Sequence, residues 1–376
     1  MRLVLACVLA AACAAVAYAS CDKELLNELS VYINGNNIVF PCASTEKIYK
    51  KSGLYVPKNM IATRVQISGS DVFVATPRFR EGVPFTLSHL NLKDKACAPT
   101  LSPWPCWSLQ EEGNCDALQN VVDLFIDVND ILWVLDVGIT NTLDNPTRRC
   151  APKVVGFNIK TGKLVKSIDL SGLVCSSSRL QYLVVDYTPD GKCYLYVSDA
   201  ATRAILVYDI QANRGFRVVL PKAVLLGGAN RDVLYLALIR RPDNNNLIIF
   251  SYLSSCRLFA IKSCNLRRGS ANGVVVDVGP KNGKIVILGT DGASNLFFRE
   301  KGGSDIYMWN AETCFKPDNF QLVQHGNDCR LATQVVPGYK RLMWVIESNF
   351  NDYIQNQVGC LGAQVVLHPL VKSCED

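Results

Sequence analysis

Histidine is scarce in this chain: His89, His325 and His368 are the only three in 376 residues. Few side chains can therefore exchange a proton near neutral pH. No two cysteines are spaced as Cys-x-x-Cys, and with so little histidine the spacing gives no reason to expect a zinc cluster. Gly-x-Ser-x-Gly, His-Glu-x-x-His and phosphate-loop patterns are missing, which removes the common serine hydrolase, zinc protease and nucleotide-hydrolase templates. After the first nineteen residues there is no run of roughly 18 apolar residues, the length a membrane span needs. Charge blocks and low-complexity stretches are absent, and so is any Asn-x-Ser/Thr acceptor, Asn145-Pro146-Thr147 being the form that proline disables. Helical periodicity is confined to 24–29 and 114–118, a turn or two each.

The opening segment reads as a secretory signal. Arg2 supplies the basic start, 3–17 the apolar run, and Ala17-Tyr18-Ala19 the cleavage site, so a secreted, extracellular protein beginning at Ser20 is expected. Cys7 and Cys13 leave with the signal, and 14 of the 16 cysteines remain, an even number suited to disulfides. Cys21, Cys42, Cys360 and Cys374 lie near the chain ends, where they could staple a closure. The formal charge of +6 is spread thinly over 47–51, 148–153, 240–241 and 267–268. Without aromatic interleaving it marks solvated surface and gives no reason to expect a nucleic-acid partner.

What the chain does contain is a repeat. The phrases VFVATPRF (72–79), LWVLDVGI (132–139), YLYVSDAA (194–201), IIFSYLSS (248–255), LFFREKGG (296–303) and MWVIESNF (343–350) each pair an apolar strand with a polar break. Their cores at Phe73, Trp133, Leu195, Ile249, Phe297 and Trp344 are 60, 62, 54, 48 and 47 residues apart, which is propeller spacing. Such sheets cannot bury both faces alone, so an all-β ring of six blades around a shared channel is expected, as one domain over 20–376. The run 38–40, after the turn signal 34–37, is expected as the closing strand, and the Pro- and Cys-rich passage 96–115 as a bridged loop packed by Trp104 and Trp107. Asp136, Asp199, Asp291 and Glu347 recur at the ends of strands expected innermost. They could ring the channel mouth, although such aspartates also tie strand ends by accepting N–H bonds. Arg78 fits an ion pair or an anion contact equally well.

The phrases go further than their spacing. The runs 53–59 and 72–87, Leu132 to Gly138, Cys150-Ala-Pro-Lys153, Tyr196-Val-Ser-Asp199 and Trp344-Val-Ile-Glu-Ser-Asn349 occur in an order that resembles the secreted yellow and major royal jelly protein family over nearly the whole mature chain. The resemblance implies a six-bladed propeller, which the even cysteine count leads one to expect stapled by disulfides, and no cofactor is expected. Of the two functions it implies, carriage of a small aromatic amine of the serotonin or catecholamine class in the channel is the first expectation, and dopachrome conversion in melanin or cuticle pigmentation the alternative. A nutritive or structural role is a third possibility. In amine-binding members a threonine and an asparagine contact the ligand, and Thr333 and Asn349 fall on those positions. Asn351 stands where an aromatic is expected, with Phe350 displaced by one. Glu347 beside this motif completes the expected polar set, and Phe350 or Tyr353 the apolar wall. For the enzyme, His325, in the loop upstream of Thr333, is the expected base; His89 and His368 alternate with apolar neighbours and read as structural.

Overall fold

The computed structural model describes residues 29–94, 98–225, 232–326 and 329–370. The expected signal at 1–19, all but the last residue of the run 24–29, and Cys21, Cys97 and Cys374 lie outside them.

Six four-stranded antiparallel sheets form a six-bladed propeller, as the repeat requires. The innermost strands are Arg64–Ser68, Val121–Ile126, Leu180–Tyr187, Leu234–Ile239, Ile285–Thr290 and Leu331–Pro337. Each touches the next around the ring, and the sixth touches the first. The repeated phrases form the second strand of each blade rather than the innermost one: Asp71–Ala75, Ile131–Asp136, Cys193–Asp199, Leu247–Tyr252, Asn295–Glu300 and Met343–Ser348. A second strand is covered on both edges by its own sheet and on both faces by neighbouring blades. It therefore carries the continuous apolar run, as in Ile131–Asp136, where every residue after the first is buried. Outermost strands such as Leu164–Asp169 leave most side chains in water.

Closure is made by strand pairing. Val31–Ile33 completes the last blade against Val365–Pro369, with Val31 opposite Leu367 and Ile33 opposite Val365. Val31 and Ile33 are buried while Tyr32 faces outward, the alternation an edge strand needs. The run 38–40 does not take this role; it is half exposed and makes one isolated bridge, Ile38 to Leu101. Cys42 and Cys360 are exposed and form no bridge among the described residues. The disulfide Cys115–Cys150 instead ties the passage 98–115 to blade 2. That passage packs as expected: Trp104 lies edge-on to Phe73 at 4.8 Å, and Trp107 stacks on Phe40 at 5.3 Å. A nine-residue helix, Ala43–Lys51, was not expected from periodicity, because it buries no residue fully and so shows no apolar stripe.

Arg78 holds the same passage from inside. Its fully buried guanidinium donates to the carbonyls of Val83 (3.0 Å), Pro84 (3.1 Å), Leu118 (2.9 Å), Gln119 (2.7 Å) and Gln110. It is a hub for backbone carbonyls; the closest carboxylate, Glu112, is 3.9 Å away.

Inner strands leave N–H groups facing the next blade, and side chains answer them. Gln334 Oε1 accepts from Val65 N (2.7 Å), Gln66 Oε1 from Ile126 N (3.2 Å), and Gln181 Oε1 from Leu234 N (2.8 Å). At the junction of blades 2 and 3 the acceptor is Asp123 Oδ2, on Leu183 N at 2.7 Å. One blade thus does with an acid what three others do with an amide.

Candidate functional site

The channel consists of two chambers in series. A cavity of about 650 Å³ is lined by the first residues of all six inner strands, including Arg64, Val122, Tyr182, Tyr235, Val286 and Thr333. A smaller one of about 150 Å³ is lined by later residues of the same strands, from Gln66 and Asp123 to Gln334 and Pro337. Arg64 and Tyr182 line both and form the waist between them. The larger chamber has the size of a small-molecule site.

Local irregularity aims these side chains. Pairing with the second strand shifts register between Val121 and Asp123, between Leu180 and Leu183, and between Ala332 and Gln334. The residues left over at these bulges include Val122, Tyr182 and Thr333, and all three reach the cavity. A bulge breaks the two-residue alternation and so turns toward the axis a side chain that a regular strand would send elsewhere.

At the waist, the Arg64 guanidinium lies 4.9 Å from the Tyr182 ring centre and donates to the Tyr182 hydroxyl at 2.8 Å and to the Thr333 carbonyl. Asp123 is 3.5 Å from Arg64 Nε. Burial pushes the Asp123 carboxyl up to about 6, against the pull of the Arg64 cation. Burial also disfavours the Arg64 cation, yet Tyr182 and Asp123 outweigh it and the guanidinium stays firmly charged. The Tyr182 phenol is pushed up by burial, as is that of Tyr235, whose ring is 5.2 Å from it. Since Arg64 occupies the oxygen of Tyr182 as a donor, the hydroxyl proton remains for an acceptor in the cavity.

Of the residues expected from sequence, Thr333 and Phe350 line the cavity, together with Asn351. Phe350 gets there because the strand ends at Ser348 and the chain turns into the short helix Phe350–Ile354, so strand alternation does not apply to it. Asn349 and Tyr353 stand outside the wall and build that turn. Asn349 Oδ1 accepts from Gln364 N at 2.8 Å, its Nδ2 donates to Asp352 at 3.2 Å, and buried Tyr353 donates to the Asn59 carbonyl at 2.7 Å. Arg80 donates to the carbonyls of Tyr353 (3.2 Å) and Ile354 (2.9 Å) at the end of the helix. Glu347 also lies off the cavity, with Gln324 Nε2 at 3.1 Å and His368 Nε2 at 3.4 Å from its carboxylate. His325 is on an exposed loop, its side chain 57% accessible and 3.5 Å from Asp305, and it does not line the cavity.

The expected ring of carboxylates is not formed. Asp136 accepts from the backbone N of Gln119, Asn120 and Gly138, each within 2.9 Å. Asp199 accepts from Arg179 N at 2.8 Å and from Thr202 Oγ1 at 2.5 Å, and Asp291 from Ala293 N and Asn295 Nδ2 at 2.8 and 2.7 Å. All tie strand ends, as an acceptor beside unpaired N–H groups will. Asp123, Arg64, Tyr182 and Arg299 were missed from sequence. A charged residue beside an apolar run, as in Val121-Val-Asp-Leu124, was the available signal, but bulges conceal its facing.

Fold and cavity define a six-bladed propeller with a ligand-sized funnel on its axis. A profile of the family "Major royal jelly protein" matches residues 119–374. The chain belongs to the yellow and major royal jelly protein family. It is 32% identical over 172 residues to dopaminechrome tautomerase of Drosophila melanogaster, across 44% of this chain and 37% of that protein. It is 28% identical over 191 residues to Protein yellow of Drosophila simulans, across 49% and 35%. The matched part thus spans little more than a third of these relatives' length. Among solved structures, the alpha-L-arabinanase of Penicillium chrysogenum matches with a TM-score of 0.51 at 8% identity, covering 90% of this chain and 98% of that one, a likeness of fold alone.

Proposed function

We propose that the large chamber binds a small aromatic ligand of quinonoid type and that the waist tautomerises it, moving a proton from ring carbon to ring oxygen. The observation that carries this reading is the waist itself. Tyr182 and Arg64 offer donors to a carbonyl oxygen, so that charge developing there meets a fixed hydroxyl and guanidinium. Behind them, on the wall of the smaller chamber, Asp123 does a structural task that glutamine does at three other junctions, while adding a carboxyl whose hold on its proton burial raises to about 6. The reaction needs no oxidant, because a tautomer gains at oxygen the proton it loses at carbon. The relative named dopaminechrome tautomerase supports the same chemistry. Secretion, expected from the opening segment, would place the activity outside the cell.

The test is the disappearance of dopaminechrome colour with native and with boiled protein. Native protein accelerates it, and Tyr182→Phe lowers the rate by about 10²-fold, the scale of one positioned proton donor. Equal rates for native and boiled protein would end the enzymatic reading.

A further inference from the structure

The charge on the cavity wall selects among aromatic ligands, an inference that rests on the cavity being a ligand site but not on any catalysis there. Among the described residues, five cationic side chains line the chamber, Arg64, Arg148, Arg179, Arg299 and Lys301, and no aspartate or glutamate does. They come from blades 1, 2, 3 and 5, so the positive wall meets a ligand in any orientation.

Most of this charge is not neutralised nearby. Arg64 has Asp123 beside it, but among the described residues Arg148, Arg179, Arg299 and Lys301 make no ion pair. Arg299 is 8% exposed and held by neutral carbonyls, its Nε on Ala332 O at 2.7 Å and its Nη1 on Glu300 O at 3.1 Å. Burial pulls its affinity for the proton down; Glu347, which acts in the opposite sense, is beyond ion-pair distance and already engaged by Gln324 and His368. Arg179 donates to the Asp232 carbonyl and keeps a buried Nε with no hydrogen-bond partner. Cations fixed by carbonyls in a concave, partly dry wall repel an ammonium group and concentrate anions, since low-dielectric walls focus the field.

We propose that this cavity selects aromatic ligands that carry an oxyanion, a carboxylate foremost, over those that carry an ammonium. The ring would lie against the apolar wall, where Phe79, Val174 and Phe350 stand, and the oxyanion would take up the free donors of the arginines.

Three probes of one shape decide it: indole-3-acetate, indole and tryptamine, titrated calorimetrically into the full chain at low and at high salt. Indole-3-acetate is expected to bind on the order of tenfold more tightly than tryptamine, with the advantage shrinking as salt screens the wall. Lys301→Glu, at an exposed position, is expected to narrow that ratio, and Arg299→Gln to narrow it further. Equal affinities for the three probes, or a preference for tryptamine, would overturn the inference while leaving an aromatic site in place. No heat from any of them at millimolar concentration would overturn the inference and the cavity's role together.

Discussion

Replacing Arg78 by methionine keeps an unbranched apolar stem and removes every donor. Five buried carbonyls, of Val83, Pro84, Gln110, Leu118 and Gln119, lose their partner at once. An unpaired buried polar group costs about 1–3 kcal/mol, so the five amount to at least about 5 kcal/mol. Against this, the variant no longer buries a cation, and water entering the loop satisfies some carbonyls, leaving a net loss of about 3–4 kcal/mol. With an unfolding entropy of about 2.1 cal/mol/K per residue over roughly 350 residues, the midpoint falls by about 5 °C. Differential scanning calorimetry reads this directly. Arg78→Lys keeps the charge but has three donors for five acceptors, and should lose about half as much. A methionine variant melting within about 1 °C of the wild type would refute the view that this guanidinium organises the 98–120 passage.

Asp123 makes a prediction with an unusual sign. Its carboxyl is raised to about 6 from an ordinary 3.8, so the folded protein holds that proton more tightly than the unfolded chain does. Its contribution therefore destabilises as pH rises through about 4 to 6, by up to about 3 kcal/mol, and stays constant above that. Denaturant midpoints of Asp123→Asn should gain on wild type over that interval, and parallel pH curves would show that no such titration occurs. His325→Ala should leave ligand binding and conversion unchanged, because the imidazole lies on an exposed loop away from the cavity; a loss of more than a few-fold would return it to the site. Reducing Cys115–Cys150, 35 residues apart, should cost about 3–4 kcal/mol by the chain-entropy scale and loosen the 98–115 passage to proteolysis without opening the ring.

The fold was legible because the second strand of each blade is apolar on both faces, and Phe73, Trp133 and Trp344 announce it at regular intervals. The same legibility misled in detail, since the loudest strand in sequence is not the innermost in space, and carboxylates at its end tie backbone instead of lining the channel. The inner strands are quieter because one edge meets an open channel, and four of them carry register shifts that break the alternation. Thr333 was found through resemblance, whereas Tyr182 and Arg64 come together only in the folded ring. Asp123 needed the comparison with Gln66, Gln181 and Gln334, which are scattered in sequence and whose shared task shows only when the blades stand side by side.

The central claim is that the chamber above Arg64 and Tyr182 holds the ligand. Thr333→Trp tests it most directly, by filling that chamber from its wall in a variant whose folding is verified by its melting temperature. Calorimetric titration with indole-3-acetate should show saturable binding to wild type and none to the tryptophan variant. Undiminished binding to a folded Thr333→Trp protein would contradict the account.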